Sequence, residues 1–128
     1  MIVLDTHVWV WWTSRPEKLS ARVRHAIDEE AILGVSVVSC WEVATLVRRG
    51  RLGFDRDVLV WVKQALALPR IELLPLTPEV AVAAGSLPES FPGDPADRFV
   101  VASALAAKSM VATKDTRIRT SGAVRCVW

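Results

Sequence analysis

Four carboxylates stand where a sheet of parallel strands would deliver side chains to one edge. Asp5 closes the apolar run Met1-Ile2-Val3-Leu4, and Asp115 follows a second run ending Met110-Val111-Ala112-Thr113-Lys114. Glu42 lies about one turn into a helix that begins after Ser36-Val37-Val38, and Asp97 opens a late helix in Asp94-Pro95-Ala96-Asp97-Arg98-Phe99. Carboxylates gathered without matching cations repel one another, and a divalent metal ion is the common remedy. Oxygen ligands suit Mg²⁺ or Mn²⁺, whereas zinc would call for the His and Cys clusters that this chain lacks. A hard cation at a sheet edge suits phosphodiester hydrolysis: it makes a bound water more acidic and neutralises charge building on the phosphate.

Each acid also has a local explanation. Asp5 can cap the helix that follows it, with Thr6 competing for that work. Ser39 and Glu42 spell a capping box. Asp94 has the character of an N-cap before Pro95, and Asp97 at the third helical position would favour the helix dipole. Asp115 can serve as a turn residue. Capping explains each acid singly but does not predict that all should share one edge. Thr6, Thr113 and Arg98 are the neighbours placed to support the acids or meet a substrate phosphate. His7 is left outside the catalytic set, because a lone His is more often structural.

The elements needed to position these groups are legible as alternating strands and helices. Ile2–Leu4, 32–38, Ile71–Leu74, 109–113 and 123–127 read as strands. Between them, helical spacing runs through Leu19, Val23, Ala26 and Ile27, through 39–49 stopped by Gly50, and through Val58, Leu59, Val62, Ala65 and Leu66 capped by Asp55. Thr77-Pro78 opens another helix, and Ser86–Pro95 reads as a loop. The class implied is α/β, with a mostly parallel central sheet of about five strands and helices on both faces. Ligands in such sheets bind outside the carboxyl ends of the strands.

Composition narrows the field further. A chain of 128 residues is one domain over 1–128, with room for one active site. No apolar run approaches the roughly 18 residues that span a bilayer, so no membrane role follows. The start Met1–Asp5 lacks the pattern of a secretory signal, and the expected location is cytoplasmic. Cys40 and Cys126 suggest neither a disulfide nor a thiolate metal site. The net charge of +2 comprises 12 Arg and 4 Lys against 14 acids, which permits modest contact with nucleic acid. Six Trp are more than a core of this size needs, which points to self-association. Trp11, turned away from the face shared by Trp9 and Trp12, is the expected exposed ring, with Trp61 and the helical hairpin over 38–68 as a further interface.

Taken in order, Asp5-Thr6-His7, Ser39-Cys40-Trp41-Glu42, Asp94-Pro95-Ala96-Asp97-Arg98 and Val111-Ala112-Thr113-Lys114-Asp115-Thr116-Arg117 resemble the PIN-domain ribonucleases of the VapC toxin type over essentially the whole chain. The resemblance implies a PIN-like fold and a metal-dependent endoribonuclease using Mg²⁺, with Mn²⁺ as substitute. Its acidic cluster would fall on Asp5, Glu42, Asp97 and Asp115, with Asp94 as a secondary ligand. It further implies a structured RNA substrate such as tRNA or rRNA, a homodimer, and a VapB-like antitoxin partner. Two other readings remain: a non-catalytic PIN-like module binding RNA or protein, and a phosphorelay receiver-like domain. The receiver would need an acid ending a central strand, where Leu74-Pro75-Leu76 stands.

Overall fold

A computed structural model describes residues 1–128. β1 (Ile2–Leu4) is followed by α1 (Thr6–Ser14), a 3₁₀ turn over Pro16–Lys18 and α2 (Ala21–Asp28). β2 (Leu33–Ser36) runs into α3 (Val37–Arg48), and α4 (Val58–Leu66) precedes β3 (Ile71–Leu74). The remainder is α5 (Pro78–Gly85), α6 (Pro95–Ala106), β4 (Met110–Ala112), α7 (Thr116–Thr120) and β5 (Cys126–Val127).

All strand pairs are parallel, in the order β3-β2-β1-β4-β5, so β1 lies at the centre. The chain leaves β1 toward β2 and β3, then returns past it to β4 and β5. The strand order therefore reverses between β1 and β4, and the crevice beyond their carboxyl ends is where such a sheet opens to a ligand. Successive residues of a strand point to opposite faces. Ile2 and Leu4 accordingly join the larger core with Trp9, Ile27, Val35, Val43 and Trp61, while Val3 and Val111 pack against Val100 and Ala104 of α6. Both faces of the sheet are thus covered, as the alternation of elements predicts.

Three local expectations are corrected. Helix α3 begins at Val37, where the β-branched pair Val37-Val38 reads as strand; its cap is Ser36, whose Oγ accepts from the Val38 amide at 3.2 Å. Ser39 is therefore not the cap, and Glu42 takes no part in a capping box. Helix α4 starts after Asp57 rather than Asp55, whose carboxylate instead accepts from Arg56 Nε at 2.8 Å. The segment after Asp115, expected as a turn, forms the five-residue helix α7, too short to show an apolar stripe.

The rings also differ from expectation. Trp61 is buried, stacked on Phe54 with centroids 4.3 Å apart and tilted against Trp9 at 5.1 Å. It is thereby unavailable to an interface. Trp11 is half-buried against Trp128, and the most exposed indole is Trp41, 56% accessible. Both cysteines are free and half-buried, and burial pushes their thiols up.

Gly34 fits β2 under a tight lid. A Cβ there would lie 2.9 Å from Leu74 Cδ1 and 3.1 Å from Met1 Sδ. Both neighbours are side-chain ends, so one methyl can be absorbed by small shifts, but a branched side chain cannot. Gly34→Val is expected to cost about 1–3 kcal/mol through overpacking. Urea unfolding would check this: the midpoint should fall with little change in slope.

Candidate active site

The site is built at the carboxyl ends of β1 and β4 and the amino ends of α1, α3, α6 and α7. Asp5 is the residue at which β1 turns into α1, and it does cap that helix: its Oδ1 accepts from the Thr6 amide at 2.8 Å. The second oxygen is free of that duty. It accepts from Thr113 Oγ1 at 2.7 Å, and the same hydroxyl oxygen accepts from the Asp115 amide at 3.0 Å. Thr113 therefore ties the end of β4 to the end of β1 and fixes the carboxylate plane of Asp5. Both residues are buried, Asp5 at 3% accessibility and Thr113 at 0%.

His7 adds a second tie. Its Nε2 accepts from the Lys114 amide at 2.9 Å, and its Nδ1 lies 3.5 Å from Asp5 Oδ2. Accepting at Nε2 leaves the ring proton on Nδ1, facing the carboxylate. Burial holds His7 below its ordinary pKa, against the upward pull of Asp5 and Asp115. His7 is thus a brace between the two loops that carry Asp5 and Asp115.

Glu42, Asp94 and Asp97 form the tightest group, each offering a ligand oxygen within 4.8 Å of the others. Asp94 caps α6 through Oδ1, which accepts from the Ala96 amide at 2.9 Å, while its exposed second oxygen remains available. Asp97 stands at the third position of α6, aimed at the cluster. Burial first, and then the charges of Asp5, Asp94, Asp115 and Glu42, push its carboxyl up to about 7. Glu42 is raised as well, by burial and by Asp5 and Asp94. The Thr6 hydroxyl, which donates to Ser39 Oγ at 2.9 Å, offsets part of that rise. The charges of the other four acids all bear on Asp97, so the cluster acts on it as one electrostatic unit.

Asp115 behaves in the opposite way. It caps α7 by accepting from the Arg117 amide at 2.9 Å, and its other oxygen takes Arg117 Nη2 at 2.8 Å. Bonding to Arg117 holds Asp115 below the usual carboxylate range. The same guanidinium nitrogen reaches Asp97 Oδ2 at 3.5 Å. Arg117 is therefore the cation that enters the cluster, and it reaches two of its five carboxylates.

Residues 2–122 match the PIN domain. The chain is also 38% identical over 118 residues to Ribonuclease VapC22 of Mycobacterium tuberculosis, covering 92% of this chain and 89% of that protein. The chain belongs to the PIN-domain family. Solved structures share the fold of this PIN domain. VapBC2 from Rickettsia felis, bound to a DNA fragment from its promoter, superposes with a TM-score of 0.72 at 14% identity, over 99% of this chain and 98% of that one. FitAcB from Neisseria gonorrhoeae gives 0.68 at 23% identity, over 100% and 97%. The receiver-like alternative falls with these matches.

The donor set of this PIN domain suits a hard divalent cation. Glu42, Asp94 and Asp97 present carboxylate oxygens without sulfur or imidazole, and a carboxyl pushed up to about 7 by burial and then by its acidic neighbours is a group that gains by meeting added positive charge. Asp5 and Asp115 flank that trio, each already oriented by its own hydrogen bonds.

One residue expected beside the substrate is committed elsewhere. The Arg98 guanidinium donates to the carbonyls of Ala84 at 3.2 Å and Leu87 at 2.8 Å and lies 5.7 Å from the Phe91 ring centroid. Its role in this PIN domain is to pin the loop over 86–94 against α6, since a helix-start Arg can turn back onto the preceding chain. The cation that does enter the cluster is Arg117, carried there by the short helix α7 that stands where a turn is expected after Asp115. The signal was present in Asp115-Thr116-Arg117, where an N-cap acid is followed two residues later by a base.

Proposed function

We propose that this chain is a metal-dependent endoribonuclease acting as the toxin of a VapBC-type pair. The observation that carries the reading is the convergence of Asp5, Glu42, Asp94, Asp97 and Asp115 on one crevice, with Asp97 pushed up to about 7. Identity of 38% to a protein named a ribonuclease, across nearly the whole chain, supports it. A bound Mg²⁺, for which Mn²⁺ can substitute, would supply a more acidic water and charge neutralisation at the phosphate. Glu42, Asp94 and Asp97 would hold it, Asp5 and Asp115 would orient around it, and Thr113, Thr6 and Ser39 would keep those carboxylates in place. Arg117, which already reaches Asp97 and Asp115, is positioned to meet a substrate phosphate as well.

The substrate class we assign is structured RNA such as tRNA or rRNA. An antitoxin of the VapB kind and a second copy of the chain would need apolar surface. Trp41, Leu59 and Val60 on the α3–α4 hairpin expose such surface, at 56%, 56% and 45%. No helix is long and apolar enough to cross a membrane, and a cytoplasmic location would fit action on RNA.

The test is cleavage of total tRNA and rRNA by the purified chain. Chelation should stop it, and Mg²⁺ or Mn²⁺ should restore it. Restoration by Zn²⁺ alone, or cleavage indifferent to chelation, would refute the assignment. Sedimentation should find a dimer at micromolar concentration, and a monomer would refute the homodimer.

A further inference from the structure

Through His7, which braces Asp5, the acidic cluster meets two further rings and two cations that do not touch the carboxylates. His7 and Trp11 pack edge to face with centroids 5.1 Å apart, and Trp128 closes the set at 5.9 Å from Trp11 and 6.4 Å from His7. Lys18 Nζ lies 5.6 Å from the Trp11 centroid, and Lys114 Nζ lies 5.8 Å from Trp11 and 5.9 Å from Trp128. Both indoles keep part of their surface in solvent, and both lysines are exposed. Neither ammonium has a carboxylate partner. The group is set by the fold. Trp128 arrives because β5 pairs with β4, where the Thr113 amide donates to the Val127 carbonyl at 3.1 Å. Trp11 is one helical turn beyond His7, whose ring touches Asp5.

The plain structural reading is that two lysines cover the rings that end the sheet. It accounts for packing, but leaves unexplained why cations without acidic partners gather on half-exposed indoles one side chain from a highly acidic crevice. That crevice repels a phosphodiester chain, so a strand entering it needs cations close by. Trp11 is also one wall of an open groove of about 910 Å³ bordered by Arg15, Lys18 and Arg51. None of those three has a carboxylate partner either. Flat rings that accept a base of any identity, bracketed by cations that take the adjoining phosphates, are how proteins hold a single strand.

We propose that Trp11 and Trp128, with Lys18 and Lys114, form a base-stacking subsite for an unpaired nucleotide beside the scissile phosphate, the strand continuing past Trp11 into the groove of Arg15 and Arg51. This inference rests on the ribonuclease reading and deepens it. It selects unpaired segments of the RNA, such as a loop, because a base within a duplex has no free face to offer. A long flexible lysine yields a ring face easily, so the ammonium can move from the indole to the phosphate as the base takes its place.

The test uses the full chain with Asp97→Asn to prevent cleavage, in Mg²⁺. A fluorescein-labelled, unstructured oligoribonucleotide is titrated and followed by anisotropy. Trp128→Leu is expected to raise Kd about tenfold and leave the salt dependence unchanged, since it removes a stacking face. Lys114→Gln and Lys18→Gln are expected to raise Kd less and to reduce the slope of log affinity against log salt by about one each. The lysines are exposed, so their variants fold even where the Trp variant does not. A fully paired duplex should compete poorly. Kd within twofold of the parent in both lysine variants, or a duplex bound as tightly as the single strand, would overturn the subsite. A synthetic antitoxin tail bound more weakly by Trp128→Leu, with RNA binding unaffected, would reassign the surface to protein and overturn it too. Cleavage of the same RNA by the unsubstituted chain is measured alongside. Cleavage with unaltered binding in the variants sinks the subsite alone, whereas neither cleavage nor binding sinks the ribonuclease reading with it.

Discussion

Asp97→Asn is expected to lower RNA cleavage by at least about a hundredfold while raising the melting temperature of the metal-free protein at pH 8. The first effect follows from losing a charged oxygen in the tightest part of the cluster, where electrostatic groups commonly contribute factors of a hundred or more. The second follows from linkage. Asp97 titrates at about 7 in the folded chain against 3.8 for an ordinary aspartate. Between those values the folded state holds a proton that the unfolded chain has released, so stability is greatest below about pH 4 and declines as pH rises toward 7. Asparagine removes that decline. The gain in the variant should therefore grow between about pH 4 and 7, stand in full above 7 and vanish near pH 4, in melts recorded in chelator. Asp115 contributes with the opposite sign. Its lowered pKa, caused first by the Arg117 hydrogen bond, gives stability present above 3.8 and lost as pH falls below it. A variant with full activity, or one destabilised at pH 8 in chelator, would contradict the placement of Asp97.

The affinity for Mn²⁺ is expected to fall about tenfold for each pH unit below 7 and to level off above it. A proton and a metal ion compete for the same Asp97 oxygens, so cation binding must expel whatever proton the carboxyl holds at that pH. Calorimetry in buffers of different ionisation enthalpy would count the protons released, with about one expected at pH 6 and none well above 7. Asp97→Asn should flatten the pH dependence and weaken binding, and a profile unchanged in that variant would place the competing proton elsewhere. Glu42 is also raised, first by burial, so a proton on its carboxyl competes with the cation in the same way.

Much of the site was legible because acids at strand ends and first helical turns are tied to one edge by the sheet alone. Asp5, Asp97 and Asp115 could be placed from the runs Ile2–Leu4, Phe99–Ala106 and Met110–Ala112 without knowing any contact. Glu42 was placed for a weaker reason, since the same residues also suggested a cap at Ser39. The local sequence could not decide, because Val37 and Val38 suit a strand by their branching and a helix once Ser36 caps it. Arg98, expected beside the substrate, turns back onto the loop, and Arg117, to which the sequence assigns no role, enters the cluster, since the direction of a long side chain depends on what tertiary packing leaves open to it. Trp11 and Trp61 illustrate the same limit. Helical periodicity gives the angle of each ring but not that Trp128 returns from β5 to cover Trp11, nor that Phe54 closes over Trp61.

The central position of β1 bears on when this chain becomes active during its own synthesis. β1 is flanked by β2 on one side and by β4, from the last fifth of the chain, on the other. The hydroxyl that orients Asp5 is 108 residues away in sequence at Thr113. A nascent chain emerging from the ribosome has Asp5 and Glu42 early, but lacks Asp97, Asp115 and the strand that aligns Asp5 until almost all of it is exposed. Contacts of such long range close slowly and only once the chain between them is available. The ribosome making this protein is thereby spared a working nuclease on its surface until the last strands dock, and chains stalled before β4 should be inert toward RNA.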